Sequence, residues 1–185
     1  MTRVIGISGV ARVGKDTFFR SMLKESPNYN LVRVAFADEL KEECDEFLMK
    51  NVGISAFTQD PDEKALVRPF LVTYGSQLRR KKDPYCWIRR AEEKILKIDK
   101  QATVVITDVR YPNELDWIHE ERDGLSIHLS REGINPINKE EEENDPKLME
   151  MCKVRLNLPN FPEETFDQEC TKYVSKLMDA NFISL

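Results

Sequence analysis

Three observations predict an α/β fold built on a parallel sheet. The short apolar run Val4-Ile5-Gly6-Ile7 leads through a glycine-bearing turn into a stretch with helical apolar spacing. A later run, Thr103 to Val109, is apolar almost throughout, as a strand covered on both faces must be. Strand-like and helix-like patterns then alternate along the chain, the order that gives parallel strands joined by helices.

The turn after the first strand is Gly9-Val10-Ala11-Arg12-Val13-Gly14-Lys15-Asp16-Thr17, with the spacing of a phosphate-binding loop. Two glycines let the backbone curl with its N–H groups inward, the helix N-terminus adds partial positive charge, and Lys15 reaches the outer phosphates. The bland alternative is an ordinary glycine turn, but strand, loop and helix fall together within the first 25 residues. A nucleoside triphosphate is the expected ligand. Asp16 stands where Ser or Thr usually offers a hydroxyl to magnesium. Either its carboxylate ligates the cation directly, or Thr17 takes part of that role while Asp16 caps the helix. An uncompensated Asp16 would repel phosphate, which favours the metal-linked role.

In the first helix Phe18, Phe19, Met22 and Leu23 recur at helical spacing until Pro27 and Asn28. Leu31 to Ala37 reads as a second strand, Asp38 as the cap of a helix bearing Leu40, Phe47 and Leu48, and Gly53 as its stop. Thr58 to Lys100 reads mostly helical, with Pro61 near a start, Pro69 as a kink or break, and Pro84 before a helix carrying Trp87, Ile88, Ala91, Ile95 and Leu96. After the strand at Thr103 to Val109 comes a short helix capped by Asn113, with Leu115 and Ile118 inward and Gly124 past its end. Ser126 to Ser130 is the fourth strand and Val154 to Leu158 the fifth. Residues 131–150, with Gly133, Pro136, Pro146 and the run Glu140 to Glu143, read as a mobile excursion whose acidic run is a solvated helix face. Pro162, Glu163 and Glu164 open a last helix with Phe166, Cys170, Val174 and Leu177.

The 185 residues suffice for one domain with an insertion, and 41% apolar content for a sizeable core. A net charge of −5 argues against stable nucleic-acid binding through the overall field. Cys44, Cys86, Cys152 and Cys170 are widely spaced, which excludes paired zinc spacing and points to reduced thiols inside the cell. The chain shows no secretory signal and no apolar stretch long enough to span a membrane, so a soluble, cytoplasmic protein is expected, monomeric or a homodimer.

Four segments carry a family resemblance: GVARVGKDT at 9–17, FADELK at 36–41, YGSQLRR with PYCWI at 74–88, and TDVRYPNE at 107–114. Together they resemble the deoxynucleoside monophosphate kinases common in tailed-phage genomes, a branch of the P-loop nucleotide kinases. The likeness spans residues 1 to about 130, and beyond it only the element order and the SREG turn at 130–133 remain similar. The resemblance implies a P-loop kinase fold with a five-stranded parallel sheet flanked by helices. It also implies a helical acceptor-binding insertion at about 38–100 and a lid at about 131–150. The implied reaction moves the γ-phosphoryl of ATP, with Mg2+, to a deoxynucleoside monophosphate in the host cytoplasm.

Lys15 and the loop residues Gly9, Ala11, Arg12, Val13, Gly14, Asp16 and Thr17 are the ATP site, with Asp16, Thr17 and Asp108 as metal candidates. Asp108 ends a buried strand at the sheet's carboxyl edge, where ligands bind in open α/β folds, and from there can hold magnesium through water or orient the acceptor, with a turn-capping carboxylate as the lesser alternative. Arg110 can present a phosphate-binding fork from the same edge. Within Arg79-Arg80-Lys81-Lys82, otherwise a solvated run, the match selects Arg79, then Arg80, for the acceptor's phosphate. Asp38 and Lys41 are further acceptor candidates, with Asp38 as a plain helix cap the alternative. Tyr74 and Trp87 can stack on a base but sit at core spacing. For the lid, Arg131 is chosen over Lys139 and Lys147 as the cation over the transferring phosphoryl, and His119 and His128 are read as structural. Two other readings keep the loop: a kinase for a hydroxyl on a small metabolite or a modified DNA base, and a non-catalytic nucleotide switch. Asn138-Lys139-Glu140-Glu141 lacks the Asp of a guanine-specificity motif, which disfavours a GTPase.

Overall fold

The structure, a computed structural model, describes residues 2–180. The described chain forms two compact units, one of residues 2–34 and 97–180 and the other of residues 35–96.

The first unit is built on a five-stranded parallel sheet in the order β2-β3-β1-β4-β5. The strands are β1 (Arg3–Ser8), β2 (Leu31–Val34), β3 (Thr103–Val109), β4 (Leu125–Arg131) and β5 (Val154–Leu158). In register, Ile5 of β1 lies opposite Val105 of β3 on one side and Leu125 of β4 on the other. The central strands have almost continuous burial, whereas edge strand β5 buries only Leu156 and Leu158, in alternation. Helices α1 (Lys15–Glu25) and α7 (Phe166–Asp179) pack together, and their apolar faces join Ile5, Ile7, Val105, Ile127 and Leu129 in one core that includes Phe18, Met22, Cys170 and Val174. The chain leaves β1 towards β2 on one side and reaches β4 on the other. The carboxyl end of β1 is therefore the switch point, where open α/β sheets form a crevice.

The second unit is helical: α2 (Phe36–Val52), α3 (Pro61–Val72) and α4 (Cys86–Ile95). Asp60 caps α3 by accepting from the N–H groups of Asp62 and Glu63 at 3.0 Å each, with Pro61 at the first turn. Pro69 lies inside α3 and does not end it. The chain instead widens into a π-helical stretch, Thr73–Arg80, where Gly75 lies so close to Leu40 that an added Cβ would come within 2.6 Å of it. Gly53 closes α2 in the left-handed conformation, donating to the carbonyls of Leu48 and Met49.

Several sequence expectations are corrected. The second strand stops at Val34, because Phe36 already opens α2, so Asp38 is inside the first turn rather than its cap. In the same way Gly14, not Asp16, holds the cap position of α1. The short helix α5 (Pro112–Asp116) takes Tyr111 as its cap, places Asn113 inside, and continues as a π-helical turn, Trp117–Glu121. The acidic run expected on a solvated helix face does lie on a helix, α6 (Lys139–Met151), whose Asn138 side chain accepts from the Glu141 N–H at 2.9 Å, but Glu141 of that run is buried. The last helix starts at Phe166, three residues after Glu163. All four cysteines are buried free thiols, and burial pushes each above its ordinary pKa, Cys44 to about 11. Among the described residues no helix is long and apolar enough to cross a membrane.

Candidate active site

The loop between β1 and α1 bends through residues with positive φ: Gly9 at 130°, Arg12 at 67° and Gly14 at 108°. Lys15 turns back over the loop and donates to the carbonyls of Gly9 at 2.6 Å and Val10 at 2.9 Å. Burial is the main cause that lowers its pKa to about 8, the Arg110 charge acts in the same direction, and the carboxylates of Glu141, Asp108 and Asp16 oppose the shift. The ammonium therefore feels four charged side chains drawn from α1, the end of β3, the following turn and α6. Of the residues selected from sequence, Lys15, Asp16, Asp108 and Arg110 thus share one electrostatic environment.

A cleft of about 760 Å3 opens beside the loop, lined by Arg12, Gly14, Lys15, Asp16 and Thr17 together with Arg131, Phe161 and Phe166. Phe166 packs on Gly14 so closely that an added Cβ would meet its ring at 2.6 Å. The Arg131 guanidinium lies 4.6 Å from the centre of the same ring, and Phe161 leans on it at 6.4 Å. Arg131 thus belongs to the donor side of the first unit, while Lys139 and Lys147 are exposed on α6.

Two glutamates in this unit carry no clear mark in the sequence. Buried Glu114 accepts from the N–H groups of Arg110 at 2.7 Å and Tyr111 at 3.1 Å, and so fixes the backbone from which the Arg110 side chain leaves. Its one signal is an acidic residue three positions after a helix cap, with Pro112 at the first helical position. Glu141, from the run expected to be solvated, is buried and reaches the loop amide of Ala11 at 3.3 Å and the Ile137 N–H at 3.2 Å. No sequence pattern marks which of four adjacent glutamates faces inward.

The metal candidates differ in fitness. Asp16 faces the open cleft, and Asp108 ends β3 within electrostatic reach of Lys15. The Thr17 hydroxyl, by contrast, is buried and already accepts from Arg20 Nη2 at 2.8 Å, so a cation stands where a metal would have to approach. Among the described residues no three His, Cys, Asp or Glu side chains gather as a metal cage.

In the second unit one carboxylate gathers the polar groups. Glu43 accepts from Arg79 Nη2 at 3.1 Å, with Arg79 Nε 2.9 Å away as an ion pair, from Arg90 Nη1 at 3.0 Å and from the Tyr74 hydroxyl at 2.6 Å. Arg79 also lies over Trp87, 5.5 Å from the ring centre, and Trp87 is buried with its N–H on the Gly75 carbonyl. Trp87 is thereby core, as its spacing suggested. Tyr74 stacks on Phe70. Arg80 is half-buried, and Lys41 pairs with Asp38 at 3.7 Å and lies over the Phe57 ring. Arg90 and Glu43 were not selected from sequence, where they look like ordinary helix-surface charges.

The lowered Lys15 pKa has a measurable consequence. In the free protein the ammonium is lost as pH rises through about 8, so affinity for a non-hydrolysable ATP analogue should fall by up to about tenfold per pH unit above that value. Lys15→Arg should remove this dependence, since a guanidinium stays charged. The stability linkage has the opposite slope. Because the folded pKa lies below the ordinary 10.5, the folded state binds fewer protons and gains stability between about pH 8 and 10.5. Calorimetric titration from pH 7 to 9.5 checks the first expectation, and a flat wild-type profile would refute it.

The comparisons agree with this geometry. A family model described as phosphomevalonate kinase matches residues 7–123. Among solved structures, dephospho-CoA kinase from Campylobacter jejuni superposes with a TM-score of 0.53 at 13% identity, covering 98% of this chain and 100% of that one. Shikimate kinase from Acinetobacter baumannii, in complex with shikimate, gives a TM-score of 0.51 at 11% identity, covering 100% and 97%. No curated protein sequence matches the chain. The family match runs over well more than half of the sequence and takes in the loop, Lys15, the helical second unit and the Asp108–Arg110 turn, so the chain belongs to the phosphomevalonate kinase family and is a P-loop kinase.

Proposed function

We propose that this kinase transfers the γ-phosphoryl group of ATP to an acceptor that already carries a phosphate monoester, and that the acceptor is a deoxynucleoside monophosphate. The observation that carries the reading is the Arg110 guanidinium, whose backbone is held at the β3 edge by Glu114 and whose charge is near enough to Lys15 to help lower its pKa. A kinase for a neutral hydroxyl needs to neutralise only the donor's charge, whereas joining two phosphates needs further cations beside the loop lysine. The four sequence segments support the deoxynucleotide. The family match supports a second reading, phosphomevalonate, which presents the same phosphate monoester.

In this scheme Lys15 and the loop amides hold the donor's outer phosphates, Arg131 adds charge from the cleft's lining, and Arg110 holds the acceptor's phosphate. Within the second unit, Arg79, held by Glu43, is the candidate for binding an acceptor. Magnesium fits Asp16 and Asp108, with water and phosphate oxygens completing its shell, and when bound it supplies neutralisation of the phosphate charge. Catalysis then rests on orientation and charge rather than on a strong base.

Coupled ADP-release assays over deoxynucleoside monophosphates, phosphomevalonate and phosphate-free alcohols test the reading. Turnover confined to the alcohols would end it. With the preferred acceptor in hand, Arg110→Ala and Arg79→Ala should each raise the acceptor KM by about 10- to 100-fold, the worth of a charge-assisted hydrogen bond, and leave ATP-analogue affinity at pH 7 nearly unchanged. Loss of ATP affinity with an unaltered acceptor KM would move both residues to the donor.

A further inference from the structure

The acidic run at the start of α6 places one carboxylate against the loop that joins β1 to α1. Glu141 is the third residue of the helix, and its Oε2 accepts from Ile137 N–H at 3.2 Å, close to what a helix-capping glutamate does. Capping does not explain its other bond, to the Ala11 N–H at 3.3 Å, which joins α6 to a loop amide 130 positions earlier in the chain. The loop's inward amides exist to bind anionic oxygen, and here a side-chain carboxylate supplies it. Lys15 completes the arrangement by turning onto the Gly9 and Val10 carbonyls, with the Glu141 charge acting to keep it protonated. Arg110 lines the same small cavity as Glu141, Gly9 and Val10. The Ala11 N–H and the Gly9 and Val10 carbonyls are thus bonded from within the chain.

We propose that Glu141 is a resident anion that the donor's phosphate displaces, so that nucleotide binding releases the start of α6 from the loop. This rests on the phosphate-loop reading of the site. Like charge forbids a phosphate and the carboxylate from sharing the Ala11 amide at close range, so each arriving triphosphate must break that bond. The competing tie lowers apparent affinity by the fraction of molecules in which the loop is free. A tie formed nine-tenths of the time weakens binding about tenfold. It also couples the loop to the segment of the chain between β4 and β5, whose release phosphate favours.

The test uses the full chain and two probes, a non-hydrolysable ATP analogue and inorganic tripolyphosphate. Glu141→Gln keeps an oxygen for the Ile137 N–H but removes the charge, and Glu141→Ala removes both, so thermal melting of the pair separates a lost cap from a lost competitor. Both probes are expected to bind Glu141→Gln about tenfold more tightly than wild type, while adenosine binds the two alike. In the wild type, hydrogen exchange of the 137–142 amides is expected to speed up when either probe is added. Wild-type or weaker affinity in the Gln variant, with exchange slowed or unchanged, would make Glu141 a structural tie and overturn the proposal alone. Failure of the wild type itself to bind either probe would remove the phosphate-loop reading together with it.

Discussion

Lys15→Ala is expected to lower turnover by roughly 10²-fold or more while the protein stays folded. The ammonium is half-buried and lies within 3 Å of two carbonyls of its own loop, so its hydrogen bonds tie it to the loop rather than to the core. Its removal therefore costs little packing but takes away the cation that opens α1 and that, on the proposed reading, stabilises the transferring phosphoryl. Because the lowered pKa shows that charge here is expensive, alanine relieves an electrostatic penalty, and thermal stability should hold or rise slightly. Steady-state rates beside a melting curve separate the two effects. Near-wild-type turnover would strike out the loop assignment, and a collapsed melting temperature would mean that Lys15 is structural.

The second large effect is on stability. Gly9 has a φ of 130°, and a Cβ built there would stand 2.2 Å from the backbone carbonyl oxygen of Leu129 in β4. Left-handed strain alone costs about 1 to 3 kcal/mol. The clash adds to it because a carbonyl in a paired strand cannot swing aside as a side chain can. Gly9→Ala should lose about 3 kcal/mol or more, a fall of roughly 6 to 12 °C in Tm for a chain of this size, together with triphosphate binding. Gly53→Ala is the internal control: its φ is 76° but nothing lies within 4 Å of the added methyl, so only the backbone cost of about 1 kcal/mol is expected. Equal losses at the two positions would show that strain, not the contact with β4, dominates.

The parts of the molecule legible in the sequence are those governed by local rules. Thr103–Val109 could be read residue for residue, because a strand buried on both faces is apolar almost throughout. Gly53 could be read as a helix stop because a residue tolerant of positive φ ends a helix that way. The loop and Lys15 followed from spacing alone. Features that could not be read depended on distant partners. Asp38 looked like a cap because it comes after an apolar run, but Phe36 had already turned helical. Glu141 is indistinguishable in sequence from Glu140, Glu142 and Glu143, and only the packing of α6 beside β1 selects it. Glu43, which holds Arg79, Arg90 and Tyr74, lies 31 to 47 positions from those partners, beyond any periodicity.

The sheet order also bears on how the chain is made. β1 carries the loop, yet its two neighbours are β3 and β4, whose first paired residues are Thr103 and Leu125. During synthesis from the N-terminus, Val4, Ile5 and Ile7 must therefore wait without a strand partner until the whole helical unit, residues 35–96, has emerged. A contiguous unit can collapse on its own local contacts, and in doing so it shortens the effective span that β2 and β3 must close. The chain thus places its non-local strand pairing after its most local folding, with the loop after β1 among the last parts to gain both of its flanking strands.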